Sequence, residues 1–313
     1  METKLEKEVR FLKIYAVVVA LFCLICSTES VLGQKTSNEM KPTSFKVEVI
    51  GRGKPMILIP GLSSSGEVWE STVARYKNKY QCHVLTLAGF AGQPPIGAPF
   101  LETVRLDLAK YIRDKKLKKP VIIGHSLGGF LALWLASKEP DLVGKLIIVD
   151  SLPFLPAAQQ PNATAETIKP QAEKMRQGII AQTPEQRRQS QLAILKTMIS
   201  DPAKIELAAK WGEASAPETV AQGLYELLTT DLRSDLVNIK APTLVIGTWI
   251  ALRQYATREI IEKNFREQYA KLPDYKFVMA DKAKHFVMFD DPDFFFQETD
   301  NFLAVQTKRK HSR

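Results

Sequence analysis

Short, continuous apolar runs alternate with longer amphipathic segments along the chain from about residue 44 onward. The short runs are rich in β-branched residues and bounded by Gly or Pro, which is typical of strands buried on both faces of a parallel sheet. The predicted strands are 45–50, 56–59, 83–86, 121–123, 146–149, 243–246 and 276–279. The predicted helices among them are 68–77, 100–115, 127–138 and 294–305. This alternation predicts an α/β fold with a mostly parallel, doubly wound sheet.

One long interval, 151–240, interrupts the alternation because it contains no convincing strand. It predicts four helices instead, at 165–182, 184–200, 202–211 and 217–230, and the last three begin at a proline, which suits a first helical turn. An insertion of this length between two late strands favours a helical cap, with unrecognised core strands as the alternative. The predicted organisation is a core at 34–152, a cap at 153–240, the second part of the core at 241–306 and a basic tail at 307–313.

The first 33 residues have the pattern of a secretory signal peptide. A stretch containing four Lys or Arg residues precedes a charge-free run at 14–26, and the small residue Gly33 follows at a plausible cleavage point. The run is shorter than the roughly 20 apolar residues that span a bilayer. We therefore expect export to the periplasm or the medium, cleavage after Gly33 and no membrane span afterwards. An uncleaved N-terminal anchor is the alternative.

Composition narrows the class of protein. The chain is 45% hydrophobic and 25% charged, as in ordinary globular proteins. Its net charge of +9 is spread along the sequence without a basic stripe interleaved with aromatics, so no nucleic-acid partner is expected. Only Cys82 lies outside the N-terminal apolar segment, which excludes a disulfide framework. The pair Cys23 and Cys26 has no second ligand pair, so no structural metal site is expected.

The strongest chemical signal is the sequence Gly124-His125-Ser126-Leu127-Gly128, which lies between the predicted strand 121–123 and the predicted helix 127–138. A serine on a tight strand-to-helix turn needs small neighbours, and the turn presents its hydroxyl at a helix N-terminus, where a developing anion is stabilised. Ser126 is therefore the candidate nucleophile. The alternative is a glycine turn without chemistry.

A second loop supplies a candidate oxyanion site. The predicted strand 56–59 ends in a loop of small residues that begins Pro60-Gly61-Leu62. Such a loop can place the backbone N–H of Leu62 opposite the N–H of Leu127, and two such donors form an oxyanion hole. A flexible surface loop is the alternative.

His285 is the candidate general base, by elimination and by position. Of the four histidines, His311 lies in the tail, His83 opens a strand and His125 is part of the elbow. His285 follows the last predicted strand and precedes the last helix. A lone histidine is more often structural, but the serine elbow favours a catalytic role.

The order of these features resembles the α/β-hydrolase superfamily: a strand, a Pro-Gly loop, a Gly-His-Ser-Leu-Gly elbow, a helical insertion, and a late His before an Asp-Pro helix start. Within it, the chain is most similar to capped serine esterases, over about residues 44–306. The resemblance implies a Ser-acid-His triad on a mostly parallel sheet, with Ser126 as nucleophile and His285 as base, and no cofactor.

Two departures from the family pattern concern the site. Many relatives have His-Gly where this chain has Pro60-Gly61, and many carry an Asp shortly after the strand that 243–246 resembles, whereas residues 247–252 contain no carboxylate. Another position used in the family follows the preceding strand, where Asp150 stands at the same sheet edge as the serine. Asp150 is the favoured acid, Asp281 is the second candidate, and an absent acid is the third possibility. A helix cap or loop hydrogen bond is the structural alternative for Asp150.

These residues predict an exported serine hydrolase that cleaves a small-molecule carboxylic ester or thioester through an acyl-enzyme. Trp249 and Phe154 are expected to line the substrate pocket. Amide or peptide cleavage and carbon–carbon bond hydrolysis use the same triad and are alternatives. A ligand-binding protein with weak catalysis is the alternative from another class, because fold does not fix function.

Overall fold

The computed structural model describes residues 44–305, so the predicted signal peptide at 1–33 and the basic tail at 307–313 lie outside the described residues. A seven-stranded sheet forms the centre of the fold, in the order β1-β3-β2-β4-β5-β6-β7. β1 pairs antiparallel with β3, and every other pair is parallel. The strands are β1 (Phe45–Gly51), β2 (Lys54–Ile59), β3 (Tyr80–Leu87), β4 (Val121–His125), β5 (Lys145–Val149), β6 (Thr243–Thr248) and β7 (Tyr275–Ala280).

The continuous apolar runs fold as strands because each strand is covered on both faces. In β4, Ile122 packs into one core cluster and Ile123 into the cluster on the opposite face of the sheet. Ile147 and Ile148 of β5 divide in the same way. All four side chains are fully buried, and a strand with only one covered face would instead alternate apolar and polar residues.

Helices cover the sheet and form the insertion. In chain order they are α1 (Glu70–Tyr76), α2 (Phe100–Asp114), α3 (Leu127–Lys138), α4 (Ala165–Ala181), α5 (Pro184–Met198), α6 (Pro202–Glu213), α7 (Pro217–Thr229), α8 (Arg258–Gln268), α9 (Val287–Asp290) and α10 (Pro292–Ala304). α4 to α7 lie between β5 and β6, which confirms a helical insertion between two late strands. None of the helices in residues 44–305 is both long and apolar enough to cross a bilayer.

The cap helices begin where local sequence favours a start. The side chains of Thr164, Thr183 and Asp201 accept hydrogen bonds from backbone N–H groups in the first turns of α4, α5 and α6. Pro184 and Pro202 occupy first-turn positions, where a missing N–H has no cost. Each cap helix therefore has its own start signal.

The structure also differs from the expectations. The segment 68–77 begins as a 3₁₀ turn at Gly66–Trp69 and becomes regular only in α1. The sequence did not predict α8, whose buried residues are only Phe265 and Gln268 and whose Ile260 is 52% exposed. Its few apolar residues share one face, but most of its residues are polar, so the helix leaves little hydrophobic signal in the sequence.

Candidate active site

The elbow places Ser126 between β4 and α3 in a backbone conformation that side chains rarely adopt, with φ 53° and ψ −121°. The turn is tight: a Cβ on Gly124 would lie 2.3 Å from the Gly128 carbonyl oxygen, and a Cβ on Gly128 would lie 2.3 Å from the Ile59 carbonyl oxygen. Both positions therefore require glycine. Ser126 lines a cavity at the end of the sheet.

The loop after β2 approaches this serine closely. A Cβ on Gly61 would lie 3.3 Å from the Ser126 Cβ. Neither the Leu62 N–H nor the Leu127 N–H donates to another group of residues 44–305. The Leu127 N–H is free because it is in the first turn of α3, where no intrahelical acceptor precedes it. Two uncommitted donors therefore lie in the two loops that meet at the serine.

Asp150 and His285 are in contact. The His285 Nδ1–H donates to Asp150 Oδ2 at 2.6 Å, and both side chains are largely buried, 20% and 12% exposed respectively. Asp150 directly follows β5, and its φ of 44° turns the side chain back at the edge of the sheet. The structure thus brings together the base and the favoured acid.

Thr248, at the end of β6, holds the Asp150 carboxylate. Its backbone N–H donates to Oδ1 at 2.9 Å and its hydroxyl donates to Oδ2 at 2.8 Å. Together with His285, these contacts give the carboxylate three donors and fix its orientation. Thr248 is not among the predicted site residues, although its position, just after the predicted strand 243–246 at the same sheet edge, is a usable signal.

His125 links the elbow to the loop that carries His285. Its Nε2–H donates to the His285 carbonyl oxygen at 3.1 Å, and the two rings lie 4.5 Å apart. His125 is fully buried, and burial together with neighbouring His285 holds its pKa well below the usual value. The ring is therefore neutral, and Nδ1 carries a lone pair with no hydrogen-bond partner among the described residues.

Ser126 and His285 line the same cavity. Among residues 44–305 no hydrogen bond joins the Ser126 hydroxyl to the His285 ring. In free enzymes such a bond is often long and shortens only when substrate binds, so its absence here is compatible with a base acting on the serine.

Three predicted residues lie elsewhere. Phe154 does not line the cavity: it is fully buried in a separate apolar cluster of the cap, with the Arg233 guanidinium over its ring. Trp249 is also outside the cavity wall, because its Nε1–H donates to Asp281 Oδ1 at 3.0 Å. Asp281 is mostly exposed, and its hydrogen bond to Arg258 lowers the pKa of the carboxyl group. Asp281 thus forms an ion pair with Arg258 and does not contact His285 through a hydrogen bond.

The cavity lies between the sheet edge and the cap and has a volume of about 390 Å³. Its wall is mostly apolar and is formed by the 61–64 loop, the elbow, His285, Phe286 and residues of all four cap helices. Apolar cavities with a few convergent polar groups are typical small-molecule sites. In the part of the chain that the structure describes, no group of His, Cys, Asp or Glu could hold a metal ion.

Known proteins share this fold. A family model described as α/β hydrolase fold matches residues 54–292. A pimeloyl-[acyl-carrier protein] methyl ester esterase of Legionella pneumophila (strain Corby) is 28% identical over 263 residues, which cover 83% of this chain and 99% of that protein.

Solved structures agree on the fold. A bromoperoxidase from Bacillus anthracis superposes with a TM-score of 0.70 at 19% identity, covering 86% of this chain and all of that one. An esterase from Exiguobacterium antarcticum gives a TM-score of 0.69 at 16% identity and covers 83% of this chain and 96% of that one. Because the family model spans residues 54–292, which is most of the sequence, the chain belongs to the α/β-hydrolase fold family.

Proposed function

We propose that this protein is a serine esterase in which Ser126, His285 and Asp150 act as nucleophile, base and acid. The observation that carries the proposal is the 2.6 Å hydrogen bond from His285 to Asp150, at the cavity that Ser126 also lines. An acid in contact with the base supports catalysis over the alternative of a binding protein without a triad.

In the proposed mechanism, the Ser126 hydroxyl attacks the ester carbonyl carbon while His285 Nε2 takes the hydroxyl proton. The N–H groups of Leu62 and Leu127 stabilise the negative oxygen of the tetrahedral intermediate. The C–O bond to the alcohol then breaks, and His285 returns the proton to the leaving alcohol. Water attacks the acyl-enzyme with His285 again as base, which releases the acid and restores Ser126.

We propose carboxylic esters of small alcohols as substrates, with the acyl chain in the apolar cavity. Two features support this choice. The similar Legionella protein is named as a methyl ester esterase, and the cavity wall is mostly apolar next to Ser126. Thioesters and amides would fit the same triad, so the assay must compare them directly.

The test is hydrolysis by the protein from Gln34 onward of butyrate presented as p-nitrophenyl ester, thioester and p-nitroanilide. We expect the ester to react fastest, and Ser126→Ala to lower kcat by a factor on the order of 10⁵ to 10⁶. A fluorophosphonate should label the wild type but not Ser126→Ala. If the protein is labelled but hydrolyses none of the three compounds, Ser126 is activated but the proposed substrates are contradicted. The absence of both labelling and hydrolysis would contradict a catalytic site.

We also propose that the protein is exported and cleaved after Gly33. The support is the basic start followed by the charge-free run at 14–26. N-terminal sequencing of the mature protein tests this. We expect a first residue of Gln34, whereas soluble protein that still begins with Met1 would contradict export.

A further inference from the structure

Among residues 44–305, Arg187 is the only Lys or Arg in the wall of the cavity, and no Asp or Glu lines it. Its Nη1–H donates to the Gln182 carbonyl oxygen at 2.7 Å, and it forms no salt bridge within residues 44–305. The adjacent Arg188 differs: it is paired with both Glu206 and Glu213. Within the described part of the chain, the cavity therefore holds a half-buried cation without a counter-charge, and one of the five guanidinium donors is used there.

The location of Arg187 follows from α5, which presents one face to the cavity. The lining positions of this helix recur every three or four residues, so they share one side of it; they are Arg187, Ser190, Gln191, Ile194, Leu195 and Met198. The Met198 carbonyl oxygen accepts the Phe286 N–H at 3.3 Å, next to His285. The C-terminal end of α5 is thus at the reaction centre, and Arg187 lies about 16 Å away along the helix axis.

The character of this face changes along its length. Met198, Leu195 and Ile194 make the half near His285 apolar, and the half near Arg187 is polar. The Gln182 amide donates to Ser190 Oγ at 3.3 Å. Gln191 lies against α6, where its amide occupies the space beside Gly212: a Cβ on Gly212 would come within 1.5 Å of Gln191 Nε2.

Electrostatics make the polar end attractive to an anion. Charge pairs are stronger in a partly desolvated cavity than in water, and no carboxylate of the wall competes for the guanidinium. Arg187 is also in the first turns of α5, where the helix dipole adds positive potential. A guanidinium matches carboxylate and phosphate oxygens in a bidentate geometry.

We propose that Arg187 binds an anionic group at the far end of the substrate, so that the preferred esters carry an apolar chain ending in a carboxylate or a phosphate. The proposal rests on the proposed esterase function, since it places the ester carbonyl at Ser126 and the anion at the other end of α5. An extended chain advances about 1.2 Å per bond, so the ester carbonyl and the anionic group of the substrate are separated by at most about thirteen bonds.

The experiment compares methyl esters of equal chain length that end in a carboxylate, a phosphate or a neutral primary amide. For wild type, kcat/KM should favour an anionic end over the amide by about 10- to 100-fold, mainly through KM, and the ratio should peak at one chain length. Arg187→Gln should reduce the ratio to about one, and Arg187→Lys should retain part of it. Arg188→Gln is the matched control and should keep the wild-type ratio.

The outcomes separate the two proposals. If Arg187→Gln leaves the anion preference unchanged, or lowers kcat/KM for all three esters equally, the arginine has only a structural role, such as holding the Gln182 carbonyl, and the inference is overturned. If wild type hydrolyses none of the esters, the proposed function fails. Calorimetric binding of the same esters to Ser126→Ala, with and without Arg187→Gln, then still decides whether the anion site exists. The preferred end group, carboxylate or phosphate, identifies the anion.

Discussion

Asp150→Asn is the sharpest test of the proposed triad because it changes hydrogen-bond chemistry while hardly changing shape. In the wild type, Oδ1 accepts the Thr248 N–H, and Oδ2 accepts both the Thr248 hydroxyl and His285 Nδ1–H. In the variant, one of these two oxygens becomes an NH₂ group. If the amide nitrogen faces His285, two donors oppose each other across 2.6 Å unless the ring moves its proton to Nε2.

That tautomer removes the base, because an Nε2 that already carries a proton cannot take one from Ser126. The opposite amide orientation keeps an acceptor for His285 but sets the NH₂ against the Thr248 N–H, which leaves a buried donor unsatisfied. In a comparable Ser-His-Asp triad the same change lowers kcat by about 10⁴, equivalent to about 5.4 kcal/mol at 1.36 kcal/mol per decade. We expect a loss of kcat between about 10³- and 10⁴-fold with little change in KM.

The assay is p-nitrophenyl butyrate hydrolysis from pH 6 to 9, with Asp281→Asn as the matched control. Asp281 lies near the same end of the sheet but binds Arg258, so its substitution should change kcat by less than about threefold. The reasoning is refuted if Asp150→Asn keeps more than about a tenth of the wild-type kcat, or if Asp281→Asn is the damaging change. In the second case His285 would have another acid partner during turnover.

Three further predictions concern stability and reactivity. Gly128→Ala should lower the free energy of unfolding by about 1–3 kcal/mol in urea titrations, because its Cβ would meet the Ile59 carbonyl oxygen, and unchanged stability would contradict the tight elbow. Because the pKa of buried His125 is lowered, the unfolded state binds more protons than the folded state below about pH 6.5. The contribution of His125 to the free energy of unfolding should therefore be fully present above that pH and should fall as the pH drops. His125→Phe should flatten this fall between pH 6.5 and 5, and equal slopes for both proteins would argue against a neutral buried ring. Burial raises the pKa of Cys82 to about 11, so the protein from Gln34 onward should react with a thiol reagent at pH 8 only after urea is added. Rapid labelling of the folded protein would contradict that burial.

Much of the fold could be predicted because local pattern and tertiary environment agree. All seven strands were identified to within a few residues, since strands buried on both faces leave uninterrupted apolar runs. The last three cap helices were identified with the help of the prolines that mark their starts. α8 was missed because most of its residues are polar, so few apolar positions mark it in the sequence.

The site was partly predictable for a similar reason. Asp150 could be placed beside His285 because the ends of parallel strands share one sheet edge, a relation that strand order alone establishes. The pocket wall could not be predicted. Leu155 lines the cavity while its neighbour Phe154 is turned into the cap core, and Arg187 faces the cavity while Arg188 faces two glutamates. Which side chain faces the cavity depends on how the cap helices pack, and the order of neighbouring residues does not determine this packing.

The position of Asp150 on β5 also has a consequence for how the protein is made. Nucleophile and acid both lie before the insertion, on the neighbouring strands β4 and β5, whereas His285 follows β7 at the edge of the sheet. During synthesis, the chain therefore contains Ser126 and Asp150 but lacks His285 until the whole cap has been made. If the proposed triad is the catalytic one, hydrolysis requires that β6 and β7 have been added to the sheet, and a truncated product that ends within the cap should be inert.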